Sequence, residues 1–223
     1  MKFDVGTLFL IGVPLGLVCC LLQLLSWRRR RDRASLWWAL SDGIGTAGVL
    51  LLLSYQWLPL WIARSVAETI MFGGGLLLWL GFRRYAGQPL PLRLFTAATL
   101  AYFVVFESLR SLVDDLAALI VLASFAHGFL HAGVAFDLAR ARLATGLRVR
   151  AFMVTVFALH GLFYLFRAVT AFTVEAGAVF LHTAGLQNAT LLFGLINVVL
   201  WNAVALWLVR ERHRARAGAA ATA

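Results

Sequence analysis

The chain has 223 residues, 62% of them hydrophobic and 13% charged, with a formal net charge of +10 and a mean hydropathy of +0.86. This composition excludes a water-soluble domain of ordinary make-up. The excess positive charge points to anionic lipid headgroups rather than nucleic acid, because most of it sits in short clusters beside long apolar runs.

The clusters are Arg28, Arg29, Arg30, Arg31 and Arg33; Arg83, Arg84 and Arg93; Arg140, Arg142, Arg148 and Arg150; and Arg210, Arg212, Arg214 and Arg216. The first apolar run, about residues 5 to 26, lacks a basic segment before it and a small-residue cleavage site, so it reads as a retained helix rather than a signal peptide. Leu17 and Val18 before Cys19 also disfavour a lipoprotein site, and Cys19 and Cys20 fit as small buried side chains. Six further runs follow, at about 36 to 56, 59 to 82, 92 to 112, 116 to 137, 151 to 173 and 186 to 209. A spanning helix needs roughly 20 mostly apolar residues. The expected fold is therefore all-α, a polytopic membrane protein with a seven-transmembrane-helix bundle over 1–210 and a short basic cytoplasmic tail over 211–223.

Cytoplasmic loops retain positive charge, which predicts an outside N-terminus and an inside C-terminus. The outer loops are then Trp57 to Pro59, Ser111 to Asp115, and Val174 to Gly185, the last with room for an interfacial turn of helix. Trp27, Trp37, Trp38, Trp57, Trp61, Tyr85 and Trp207 lie near predicted ends, as aromatic belt residues do. Pro14 predicts a kink in the first helix. The glycines at 12, 16, 43, 45, 48 and 73 to 75 predict close helix packing.

Ionisable side chains inside spanning helices cost roughly 2.5 to 3.5 kcal/mol each and usually face a partner in the bundle. Arg64 and Glu68 fall at i,i+4 on the third run, Glu107 and Arg110 at i,i+3 on the fourth, and Arg167 on the sixth. Counting about 1.5 Å per residue puts Glu68, Glu107 and Arg167 within one turn of each other in depth. Two readings stay open: an ion-pair network that packs helices three, four and six, or a polar pocket whose one excess positive charge suits an anionic small ligand. Arg167 is the foremost candidate ligand residue.

A deeper set joins His127 and His131 on the fifth run to His160, Tyr164 and Arg167 on the sixth, since offsets of four and seven return to one helix face. Hydrogen bonding between helices is the default expectation. The alternative is axial ligation of haem by one histidine from each helix, with Gly128 and Gly161 leaving room for a porphyrin face. The HGFLH stretch lacks the Glu of the zinc-hydrolase motif, and no cofactor or metal is otherwise expected. Asp42, Asn188, Asn197 and Asn202 read as interhelical hydrogen-bonding groups, with no continuous polar file.

LWWALSDGIGTAGVLLLL at 36 to 53, LLLWLGFRRYAGQPLP at 76 to 91, RAFMVTVFALHGLFYLFRAVTAF at 150 to 172 and WNAVALWLVRERHRAR at 201 to 216 carry a resemblance to a known family. The chain resembles the seven-helix membrane sensor regions at the N-termini of many bacterial diguanylate cyclases of the GGDEF class. The resemblance implies an inner-membrane sensor whose last helix runs on as a signalling helix, with Arg167 in FRAVTA characteristic of the region. No GGDEF or EAL motif follows Arg216, so neither cyclase nor phosphodiesterase activity is carried over. A sensor of this kind would signal through a separate cytoplasmic protein or a homodimer. The other classes are a membrane redox protein holding haem or quinone at the histidines, and a small transporter, which the lack of repeats, paired broken helices and a polar file disfavours. No nucleophile and base pair and no phosphate loop suggests an enzyme.

Overall fold

The computed structural model describes residues 5–113, 115–141, 147–173 and 179–221. Among them the chain is all helical, and seven helices are long and apolar enough to cross a membrane. They are α1 (Val5–Arg30), α2 (Arg33–Leu53), α3 (Ala67–Tyr85), α4 (Leu92–Leu112), α5 (Leu116–Arg140), α6 (Leu147–Thr173) and α7 (Val179–Ala221).

Local chemistry sets the helix ends. Arg31 takes a left-handed φ of 53° between α1 and α2, and the Asp32 carboxylate caps α2 by accepting from the Ala34 amide at 2.9 Å. Asp115 caps α5 in the same way through Ala117. Helix α3 stops at Gly87, whose φ of 70° lets the Gln88 and Gly87 amides reach back to the Arg83 and Arg84 carbonyls.

The third spanning segment differs from the single α-helix expected over 59 to 82. Trp61–Val66 forms a π-helical turn that leads directly into α3. Each turn there holds an extra residue, so Arg64 and Glu68 are not stacked as an α-helical i,i+4 pair would be. The seventh segment also differs. Helix α7 spans 43 residues, so it runs on past the end of the apolar run at 209, and residues 211–221 are helical. The interfacial turn expected between Val174 and Gly185 lies partly outside the described residues, 174–178 being among those not described, and α7 begins at Val179.

Six helices close a ring in the order α1, α2, α3, α5, α6, α7, with α7 returning to α1. Helix α4 stands outside this ring, against α3, α5 and the π-helical turn. The arginine-rich helix ends gather at one end of the bundle. There Asp137 of α5 accepts from Arg83 Nη1 at 2.5 Å and Trp79 Nε1 at 2.7 Å, both from the α3 segment. Arg212 of α7 bonds to Asp32 and to the Tyr85 carbonyl.

Above this end an aromatic plug fills the ring. Phe82 of α3 meets Trp38 of α2 at 5.1 Å and Phe157 of α6 at 5.3 Å between centroids, and reaches Trp201 of α7 at 6.4 Å. Trp38 and Phe157 are fully buried. Inside a bilayer such rings hold helices together by close van der Waals packing rather than by transfer from water. The outward faces are apolar in turn: Leu100, Val104, Phe129 and Leu162 are each at least 60% exposed.

Candidate functional site

Beyond the plug, the ring encloses a cavity of about 470 Å³. Its polar lining comes from six elements: Asp42 and Thr46 of α2, Arg64 of the π-helical turn, Glu68 of α3, His127 and His131 of α5, His160, Tyr164 and Arg167 of α6, and Asn197 of α7. Leucines of α1, α5 and α7 supply apolar wall, and Trp201 of the plug lines it as well. The two polar sets that looked separate along the chain therefore share one cavity, because α5 and α6 pack extensively against each other and α3 lies against α5.

Arg167 donates from Nη1 to Ser124 Oγ at 3.1 Å, while its Nε is buried without a partner. Glu68 and Tyr164 both lie within charge-interaction range of Arg167. No ion pair joins Glu68 to Arg64 or Arg167 among the described residues, and both arginines line the cavity. Arg167 Nε is thus available to an occupant.

Glu107 and Arg110 are elsewhere. Arg110 donates to Glu107 at 2.8 and 2.5 Å, and Glu107 also accepts from Ser65 Oγ at 2.5 Å. This cluster binds α4 to the π-helical turn, and neither residue lines the cavity. The expected convergence of Glu107 with Glu68 and Arg167 does not occur. Counting rise along a helix gives depth but not direction, and α4 sits behind α3 and α5 rather than beside α6. The charge balance changes with it: two arginines face the cavity, against Glu68 at one level and Asp42 deeper in the ring.

The histidines form an aromatic stack. His131 and His160 lie face to face, 4.3 Å between centroids and 17° from parallel. Tyr164 stacks on His160 at 5.0 Å and on His127 at 5.3 Å. His131 Nδ1 donates to the His127 carbonyl at 2.8 Å, which leaves Nε2 of the neutral ring as an acceptor. Both ring nitrogens of His160 are buried without a hydrogen bond. The Asn197 side chain lies within hydrogen-bonding reach of that ring, but the geometry falls short of a formed bond, and its Oδ1 is also unpaired.

This arrangement does not fit haem held between histidines of α5 and α6. Axial ligands stand on opposite sides of a porphyrin plane, whereas His131 and His160 rest directly on each other. Gly128 and Gly161 do not leave a slot. A Cβ on Gly161 would lie 3.0 Å from the Gly128 carbonyl oxygen, so these glycines bring α5 and α6 into backbone contact. Among the described residues no group of three or more His, Cys, Asp or Glu side chains is placed to hold a metal ion.

Asp42 and Asn202 do join helices, as their types suggested. Asp42 Oδ1 accepts from Asn202 Nδ2 at 3.3 Å, and Asn202 Oδ1 accepts from Gln23 Nε2 at 2.9 Å. Asp42 Oδ2 remains buried and unpaired. Three features escaped sequence reasoning: the cavity-facing role of Asp42 and Asn197, the buried Gln23, and the Asp137 clamp. A signal existed for the first, since Ser41, Asp42, Gly45 and Thr46 recur at helical spacing on α2 and all line the cavity.

Among the described residues, the fold and site define an all-helical bundle with seven helices long and apolar enough to cross a membrane, and a largely apolar cavity with a polar side-chain set, lined by residues of all seven. Comparison of the chain with protein-family models, curated proteins and solved structures found no match.

Proposed function

We propose that this chain is a multi-pass receptor of the bacterial inner membrane that takes a small ligand into the ring cavity and reports its occupancy through α7. Its N-terminus lies outside and its arginine-rich end faces the cytoplasm. The apolar outward faces suit lipid, since exposed apolar surface of this extent is unfavourable in water. The resemblance to the membrane sensor regions of diguanylate cyclases supports the same class.

The observation that carries the proposal is the set of buried polar atoms without partners around one cavity: His160 Nδ1 and Nε2, Asn197 Oδ1, Asp42 Oδ2 and Arg167 Nε. Leaving such an atom unpaired costs roughly 1 to 3 kcal/mol, so a polar occupant of the cavity that bonds to several of them is favoured. Helix α7 links the cavity to the basic end: Asn197, Val198 and Trp201 line the cavity, and Arg212 on the same helix holds Asp32 and Tyr85. A ligand that prefers one packing of α7 shifts the population of that packing. A separate cytoplasmic protein or a second copy of the chain then reads the Arg210 to Arg216 segment.

The test is a thermal-shift screen of metabolites against the wild type and Arg167→Leu in lipid nanodiscs. A ligand that binds only the folded state raises its apparent stability, so a hit that shifts the wild type and not the variant is expected. Hits that shift both equally would place binding outside the cavity.

A further inference from the structure

The cavity has two polar levels separated by aromatic and aliphatic wall. At the level farther from the arginine-rich end, Arg64, Arg167 and Glu68 leave one formal positive charge, and Arg167 Nε has no partner. Seven residues along α6, about 10 Å by helical rise, His160 holds both ring nitrogens unpaired and Asn197 holds Oδ1 unpaired. These two side chains are 3% and 4% exposed. Between the levels lie the Tyr164 ring, the His127 ring stacked on it, and aliphatic wall such as Leu195.

We infer that the cavity takes a singly anionic, elongated small molecule with an apolar middle and a distal hydrogen-bond donor, such as a hydroxyl. The acid faces Arg64 and Arg167, whose guanidinium groups present fixed donors to a carboxylate. The distal hydroxyl donates to Asn197 Oδ1 and shares its oxygen or its proton with His160, which in its neutral form offers one donor and one acceptor. Glu68 beside Arg167 sets the number of acids at one, because a second anion would meet a carboxylate. This rests on the cavity being a ligand site and adds the chemical class of the ligand.

The test uses four probes with the same carbon chain: 8-hydroxyoctanoate, octanoate, 1,8-octanediol and 8-amino-1-octanol. Binding to the protein in nanodiscs is followed by thermal shift across a concentration series. We expect 8-hydroxyoctanoate to bind roughly tenfold or more tightly than octanoate or the diol, as loss of a buried hydrogen-bond partner implies. Arg167→Leu should erase the preference for the acid over the diol, and Asn197→Leu the preference for the hydroxy acid over octanoate. Arg64→Leu replaces Arg167→Leu if the latter does not fold. Equal or tighter binding of the diol or the amino alcohol would overturn the ligand class while leaving a cavity receptor. No shift with any probe, alongside a hit in the metabolite screen, would overturn the class alone; no shift in either would overturn both.

Discussion

The Arg212 guanidinium lies 3.6 Å from the centroid of the Tyr85 ring, and the same group bonds to the Tyr85 carbonyl and to Asp32 Oδ2 at 3.3 Å. One side chain thereby fastens α7 to the end of α3 and the start of α2. The Tyr85 hydroxyl completes the contact by donating to the Leu208 carbonyl at 3.2 Å.

Arg212→Ala removes a cation–π contact, a hydrogen bond and a partly buried ion pair together. The expected loss is about 2 to 3 kcal/mol. Hydrogen exchange should rise in the last turns of α7 more than in α2 or α3. Arg212→Lys should recover only part of the loss, since a lysine cannot cover the ring and reach both oxygens at once. Uniform exchange along all three helices would contradict the latch.

Asp137 receives Arg83 and Trp79 in a site where the Arg83 and Asp137 side chains are 19% and 17% exposed. Exposed pairs contribute little, but a half-buried acceptor with two donors is harder to lose. Asp137→Leu should destabilise by about 2 to 4 kcal/mol, and the double variant with Arg83→Met by less than the sum of the two single changes. A double-mutant cycle from denaturant titrations measures that coupling. Simple additivity would mean that the clamp is not a unit.

The Gly128 and Gly161 contact predicts a sharp size limit. Gly161→Ala places a methyl group 3.0 Å from a backbone oxygen that belongs to a packed helix, at a cost of about 1 to 3 kcal/mol. Gly45→Ala is the matched control, because its Cβ meets nothing within 4 Å and alanine favours helix. Thermal melting should fall for the first and hold or rise for the second.

The Glu107 cluster gives a functional control. Glu107→Gln weakens the bonds to Arg110 and Ser65 and should lower stability by about 1 to 2 kcal/mol. Ligand affinity should stay within twofold of the wild type, because neither Glu107 nor Arg110 lines the cavity. A large loss of affinity with unchanged stability would return Glu107 to the site.

Sequence by itself determined, among the described residues, the number of helices long and apolar enough to cross a membrane and most of their extents. Apolar runs bounded by arginine clusters leave little choice, and each helix satisfies its own backbone whatever its neighbours do. It also singled out Arg64, Glu68, His127, His131, His160, Tyr164 and Arg167, all of which line the cavity, because a polar side chain in an apolar helix is conspicuous. Tertiary structure alone decided how these residues combine. The direction each helix face points depends on the order of packing around the ring, which local sequence does not encode. That order put α4 outside, separated Glu107 and Arg110 from Arg167, and merged the arginine and histidine sets. It also drew Asp42 and Asn197 into the cavity wall and closed Gly128 against Gly161. The π-helical turn before α3 came from the same source, since contacts with neighbouring helices outweigh the small local differences among helical forms.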